Sequence, residues 1–173
     1  LAQDLYERHK AITYPRTDSD SLSTDMFSTI TDVIRSLSYN QYIPYVNHIL
    51  SQPFTMSTRI FNNARVSDHH AIIPTIRSRP PSLSPDEARI FELIARRFLS
   101  NFYCDAEFDE TTLLILVGEG TKNVPVFKEG LLNSIPNGPD FFIARGRICI
   151  VRGWQDAAGY DEPSDIQTIP NIP

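Results

Sequence analysis

The sequence predicts an α+β chain, mostly helical to about residue 104 and extended after it. Two observations carry this. Before Tyr103, apolar residues recur at helical spacing in four segments. Near Asp105 the pattern changes to β-rich runs broken by glycine, as in "TTLLILVGEG" and "FFIARGRICIVRGW".

The elements follow in order. "LAQDLYERHK" places Leu1 and Leu5 one helical turn apart. "STDMFSTITDVIRSLS" puts Met26, Phe27, Ile30, Val33, Ile34 and Leu37 on one stripe, with Ser23 or Thr24 as the expected cap. "YIPYVNHILSQP" predicts a shorter helix that buries Ile43, Val46 and Leu50 and stops before Pro53. "SPDEARIFELIARRFLSNF" carries a full start signal: Ser84 as N-cap, Pro85 at the first helical position, then Asp86 and Glu87 near the positive end of the helix dipole. Its expected core stripe is Ala88, Phe91, Ile94 or Ala95, and Phe98. In the β portion Gly146 is expected at a bulge or close backbone approach. An irregular connection over residues 119–139 and a proline-punctuated tail complete the chain. The division expected is 1–104 helical and 105–173 β.

Bulk properties exclude some classes. At 41 % hydrophobic, 173 residues can bury a core, in one domain or two small ones. No apolar run is long enough to span a membrane. The first residues carry no signal-peptide pattern and no initiating methionine, so the chain is expected to be cut from something longer. Cys104 and Cys149 are far apart in apolar settings and are expected to be buried free thiols, with no disulfide framework and no zinc motif. The net charge of −5 gives no global basic footprint. Its spread is uneven, +1 over 1–104 and −6 over 105–173, which assigns any polyanion contact to the first part. Lys10, Arg59 and Arg65 are candidates for such contacts, although scattered basic residues are more often a solvated surface.

Two short motifs carry candidate chemistry. In "ITYPRTDSDSL" a proline follows Tyr14 and forces it out of helical geometry. If the chain runs extended there, Tyr14 and Arg16 share a face. A phenol beside a guanidinium suits attack on phosphorus, with the cation neutralising charge that grows on the phosphoryl oxygens. Asp18 falls on the same face and would hold Arg16. The other reading is a tyrosine packed at a helix end beside a solvated arginine. In "VSDHHAIIPT", His69 and His70 point to opposite sides of an extended segment, which weakens any metal site made of Asp68, His69 and His70 together. One histidine facing a phosphate can donate a charged hydrogen bond. A satisfied surface or core histidine is the alternative. His9 and His48 have no partner signal and receive no role.

"LAQDLYERHKAITYPRTDS", followed about 50 residues on by "DHHAIIPT", resembles the type IA DNA topoisomerases. "RIFELIARRFLSNFYCDAEFDETTLLILV" is similar to the helix that leaves the family's tyrosine domain, and "FFIARGRICIVRGW" to its β segment. "AIIPT" leans toward the topoisomerase III branch. The resemblance implies a tyrosine-bearing gate domain over 1–104 and a partial antiparallel β arch domain over 105–173 of a toroidal fold. It implies that Tyr14 attacks a single-strand phosphodiester to leave a 5′-phosphotyrosine and a free 3′-hydroxyl. Arg16 then matches the arginine at the scissile phosphate and His69 the site histidine, while His70 receives no role. Asp18 remains a weaker guess outside the resemblance.

The resemblance also implies what must lie elsewhere. Magnesium in this family is bound by the acidic DxDxE cluster of a Toprim domain, and no DxDxE occurs here; "DAEFDE" has the wrong spacing. Neither a metal site nor a bound cofactor is therefore expected within this chain, and alone it is expected not to relax DNA. The implied partners are single-stranded DNA, the remaining domains of the same polypeptide and a helicase, in a cytoplasmic, nucleoid-associated setting. The 119–139 connection is longer than the family's usual link. The competing functions are a tyrosine-dependent relaxase, disfavoured because no apolar residue separates the two histidines, and a single-stranded DNA-binding domain without chemistry.

Overall fold

The computed structural model describes residues 1–77, 82–117 and 140–160. Five α-helices and two strands are formed among them, besides three short 3₁₀ turns: α1 (Ala2–Glu7), α2 (Phe27–Ser36), α3 (Ile43–Leu50), α4 (Pro85–Ser100), β1 (Glu107–Val117), β2 (Asp140–Val151) and α5 (Trp154–Ala158). The chain divides into two compact units. Leu1–Ala106 together with 152–160 make the helical unit, and β1 with β2 make the other. The expected α+β class is observed. The helical unit also recovers a late segment, because α5 packs back onto α4 and buries Ala157. The 119–139 connection and the tail lie outside the described residues.

The core of the helical unit is built from the predicted stripes, with adjustments. In α2, Ile30, Val33, Ile34 and the following Leu37 are buried. α2 has no side-chain cap of its own; a 3₁₀ turn over Thr24–Met26 leads into it, and that turn is held differently from expectation. Neither Ser23 nor Thr24 caps with its own side chain; the Asn63 side-chain oxygen accepts the Thr24 N–H at 2.8 Å, and its amide donates to the Thr24 hydroxyl at 3.0 Å. In α3 the buried face is Tyr42, Val46 and Ile49. Ile43 and Leu50 lie on a neighbouring, exposed stripe, about one residue of rotation from the expected one. Both stripes obey helical spacing, and the aromatic Tyr42 just before the helix takes the deeper place.

In α4, Phe91, Ala95, Phe98 and Leu99 are buried, but Ala88 is exposed and Glu87 takes its place inside. Glu87 is held there by a complete capping box. The Ser84 side chain accepts the Glu87 N–H, and Glu87 Oε2 accepts the Ser84 N–H at 2.8 Å. Glu87 Oε1 also meets His9 Nε2 at 3.2 Å, so a buried pair fastens the end of α1 to the start of α4. The Ser84 backbone N–H, the Ser84 hydroxyl and His9 together hold the Glu87 carboxyl down to about 2.

β1 and β2 pair antiparallel in continuous register from Phe108 opposite Cys149 to Val117 opposite Asp140. The irregularity falls between Glu107 and Phe108, not at Gly146, which pairs in line with Thr111. The Arg147 guanidinium lies 3.3 Å from the Phe108 ring centroid. A ribbon of two strands cannot cover its own faces. Ile115, Phe142, Ile148 and Ile150 are accordingly exposed, and Cys149 is half-buried. Cys104 is exposed where the chain leaves the helical unit, so neither thiol is buried as expected.

The glycine that matters is Gly153. Its φ is +51°, and an added Cβ would lie 2.5 Å from the Asp105 carbonyl oxygen and 2.6 Å from that of Cys104. The close approach lets the Trp154 N–H donate to the Cys104 carbonyl at 3.0 Å, which docks α5. Gly153→Ala should therefore destabilise the helical unit by about 2 kcal/mol or more, read as a lowered thermal midpoint. For Glu87 the sign follows from its depressed pKa. Its stabilisation is present above about 4.5, the ordinary value, and is lost as pH falls through about 2. In urea titrations, Glu87→Gln should narrow the loss of stability between pH 6 and pH 3 relative to wild type.

Candidate active site

The candidate site forms where the two motifs meet, and the backbone brings them together. Ile12 pairs with Pro74 in an antiparallel bridge. The Thr13 N–H donates to the Ile73 carbonyl at 2.9 Å, and the Thr75 N–H donates to the Ala11 carbonyl at 3.0 Å. These two bonds flank the Ile12–Pro74 pair, so proline's missing N–H costs nothing there. Ala11, Ile12, Ile73 and Pro74 are all buried.

Threonine hydroxyls lock the register. Thr13 Oγ1 donates to the Ala71 carbonyl at 3.2 Å and accepts the Ile73 N–H at 2.9 Å. Thr75 Oγ1 donates to the Lys10 carbonyl at 2.6 Å. Thr17 Oγ1 donates to the His69 carbonyl at 2.9 Å and accepts the Ser19 N–H at 3.1 Å. Thr17 thus ties the backbone of His69 directly to the segment carrying Tyr14 and Arg16. These threonines received no role from the sequence. For Thr13 and Thr17 the available signal was their placement on either side of the tyrosine and arginine, which does not separate a clamp from a solvated loop; Thr75 had none.

Tyr14 stands against His69, ring centroids 4.4 Å apart and tilted by 45°. On another side the Tyr6 ring meets it edge-on at 5.4 Å. Tyr14 is half-buried, and its hydroxyl has no hydrogen-bond partner among the described residues. Arg16 is exposed and makes no ion pair or hydrogen bond among the described residues. A guanidinium without a carboxylate keeps its donors for an anionic ligand.

The chain bends at Thr13 and again at Pro15, so the straight extended run expected around Tyr14 does not form. Asp18 is exposed and does not reach Arg16. The aspartate–arginine contact of this loop is instead Asp20 with Arg65, at 2.6 Å. Arg59 pairs with Asp105 at 3.2 Å, and Lys10, at a backbone φ of +54°, places its ammonium 5.5 Å from the Tyr6 ring centroid. His70 donates from Nδ1 to the Ala71 carbonyl at 2.8 Å. Among the described residues no three His, Cys, Asp or Glu side chains come together as a metal site, Asp68, His69 and His70 included.

A half-exposed tyrosine stands against a histidine, with an unpaired arginine two residues on, and these are the residues that carry the resemblance to the type IA topoisomerases. The comparisons with known proteins establish that class: the DNA topoisomerase family model matches residues 1–173, and the chain belongs to this family. Its relatives include a protein named DNA topoisomerase 3 from Staphylococcus epidermidis (strain ATCC 12228 / FDA PCI 1200), 50 % identical over 100 residues, which are 57 % of this chain and 14 % of that protein. Another of the same name, from Staphylococcus haemolyticus (strain JCSC1435), is 43 % identical over 118 residues, 68 % of this chain and 17 % of that protein. A third, from Staphylococcus aureus (strain MRSA252), is 42 % identical over 120 residues, again 17 % of its length. The chain therefore spans less than a fifth of these relatives where it matches them. The lean toward the topoisomerase III branch agrees with all three names.

Thr13→Val keeps the side chain's shape and removes both of its hydrogen bonds. It should lower stability by about 1–3 kcal/mol in urea unfolding, because the Ala71 carbonyl and Ile73 N–H lose their partner.

Proposed function

We propose that this chain carries the tyrosine half of a site that cuts and rejoins one DNA strand. The observation that carries it is the contact of Tyr14 with His69, made across 55 residues of sequence by a short backbone pairing. The phenolic oxygen of Tyr14 attacks a backbone phosphorus and forms the phosphotyrosine bond. The bond from phosphorus to the 3′ oxygen breaks as the phenol gives up its proton and the leaving oxygen takes one. The phosphate remains on Tyr14 as a 5′ link, and the strand keeps a free 3′-hydroxyl.

Arg16 faces the phosphoryl oxygens with its unpaired guanidinium and offsets the charge that builds on them. His69, against the Tyr14 ring and held by Thr17, donates a hydrogen bond to the same group. The covalent link keeps the energy of the broken bond, so the 3′-hydroxyl can reverse the attack without ATP. Passage of a second strand through the opened one then changes DNA topology. The resemblance assigns magnesium to the acidic cluster of a Toprim domain. The described residues of this chain offer no such cluster.

Tyr14→Phe in the enzyme that contains this chain removes only the attacking oxygen. Covalent capture of a labelled single strand should vanish, while binding of that strand should stay within about twofold. Retained capture would end the assignment. The 173-residue chain by itself should bind single strands without relaxing supercoiled DNA.

A further inference from the structure

Beside the paired motifs the helical unit has a groove of about 260 Å³ that shares Thr17 and Ala71 with the site. At about 30 Å³ per water, that is the room of roughly nine waters, enough to admit one nucleobase. Its floor is apolar: Ile73 is buried, and the half-buried Phe102 presents a ring at the end of α4. Its rim is polar. Arg97 is exposed there, and its guanidinium has no partner among the described residues. Asn101 donates its amide to the Arg97 carbonyl at 2.6 Å, which leaves the side-chain oxygen as a free acceptor. Asp20, the acid on the rim, is already neutralised by Arg65.

An apolar slot with an aromatic wall, an uncompensated guanidinium and one open acceptor fits an unstacked base with its phosphate. A duplex offers no base to such a slot. We propose that the groove holds a base of the single strand near the phosphate attacked by Tyr14, with the base on Phe102 and a neighbouring phosphate on Arg97. This rests on the cleavage reading above and adds a site to it. The shared backbone makes the link physical. Thr17, which fixes His69, forms one edge of the groove, so a strand seated there passes alongside the Tyr14–His69 pair.

The test uses the 173-residue chain and a single-stranded oligonucleotide carrying iodouracil at one position at a time. Irradiation followed by mass spectrometry should place a cross-link on Phe102 or another groove residue from one position of the strand. In anisotropy titrations Arg97→Ala should weaken binding about fivefold at low salt and reduce the salt slope by about 0.7. Phe102→Leu should weaken it about five- to tenfold. An abasic residue at the cross-linking position should cost the wild type a similar factor and the Phe102→Leu variant nothing more. Arg97 is on the surface, so its variant reports even if Phe102→Leu lowers the thermal midpoint. Cross-links confined to residues outside the groove, or Arg97→Ala binding within twofold of wild type, would overturn the groove and leave the Tyr14 reading standing. Failure of the wild-type chain to bind single strands would overturn both.

Discussion

The short antiparallel contact between residues 10–17 and 69–75 is the constraint on which the candidate site depends. It consists of two backbone bonds, one buried bridge and three threonine hydroxyls. Such a contact is too short to be a strand pair that stabilises itself. It persists because Ile12, Ile73 and Pro74 are buried in the same core as Leu5 and Ile30, so the helices hold it closed. A loop of more than fifty residues must be ordered before it forms. That ordering is shared with α2 and α3, whose buried faces line the same core.

The tyrosine segment is fixed at its other end by electrostatics. Directly before it, His9 meets Glu87, and Glu87 is already bound to the Ser84 N–H. The capping box therefore starts one helix and, through Glu87, anchors the end of another. Residue 10 follows in a left-handed backbone conformation, which turns the chain sharply from α1 into the bridge. α1 is too short to be stable alone. Its buried Leu5 and this tether set where Tyr6, and so the edge contact on Tyr14, must stand.

The fold class and most of the helical core were legible because periodicity reports burial directly. Ile30, Val33, Ile34, Phe91 and Phe98 needed no tertiary information. The failures share a cause. The face of α3 and the burial of Glu87 depend on what lies opposite each helix, and one-dimensional spacing does not carry that. The Asn63 contact with the turn before α2 comes from nearly forty residues away and leaves no local mark. At the site, residue types and motif distance pointed to Tyr14, Arg16 and His69, and the structure brings Tyr14 and His69 together. The Asp18–Arg16 contact did not form because it assumed an unbent chain, and Pro15 lies at a bend. Gly153 was visible as a glycine before tryptophan, but its need became clear only from two carbonyls nearly fifty residues upstream.

The distribution of contacts around Tyr14 bears on which kind of tyrosine it is. A structural tyrosine commonly buries its ring and satisfies its hydroxyl. Here the ring is gripped on two sides by Tyr6 and His69, while the hydroxyl has no protein partner among the described residues. Arg16 shows the same pattern, a placed backbone with an unspent charge. Neither group stabilises the fold through its polar atoms, so the fold has no use for a phenol or a guanidinium at these positions. Phenylalanine and a neutral polar residue would serve the packing as well. What the two functional groups retain is the capacity to meet an anion from outside, and a phosphodiester supplies both an atom for the phenol to attack and oxygens for the guanidinium to hold.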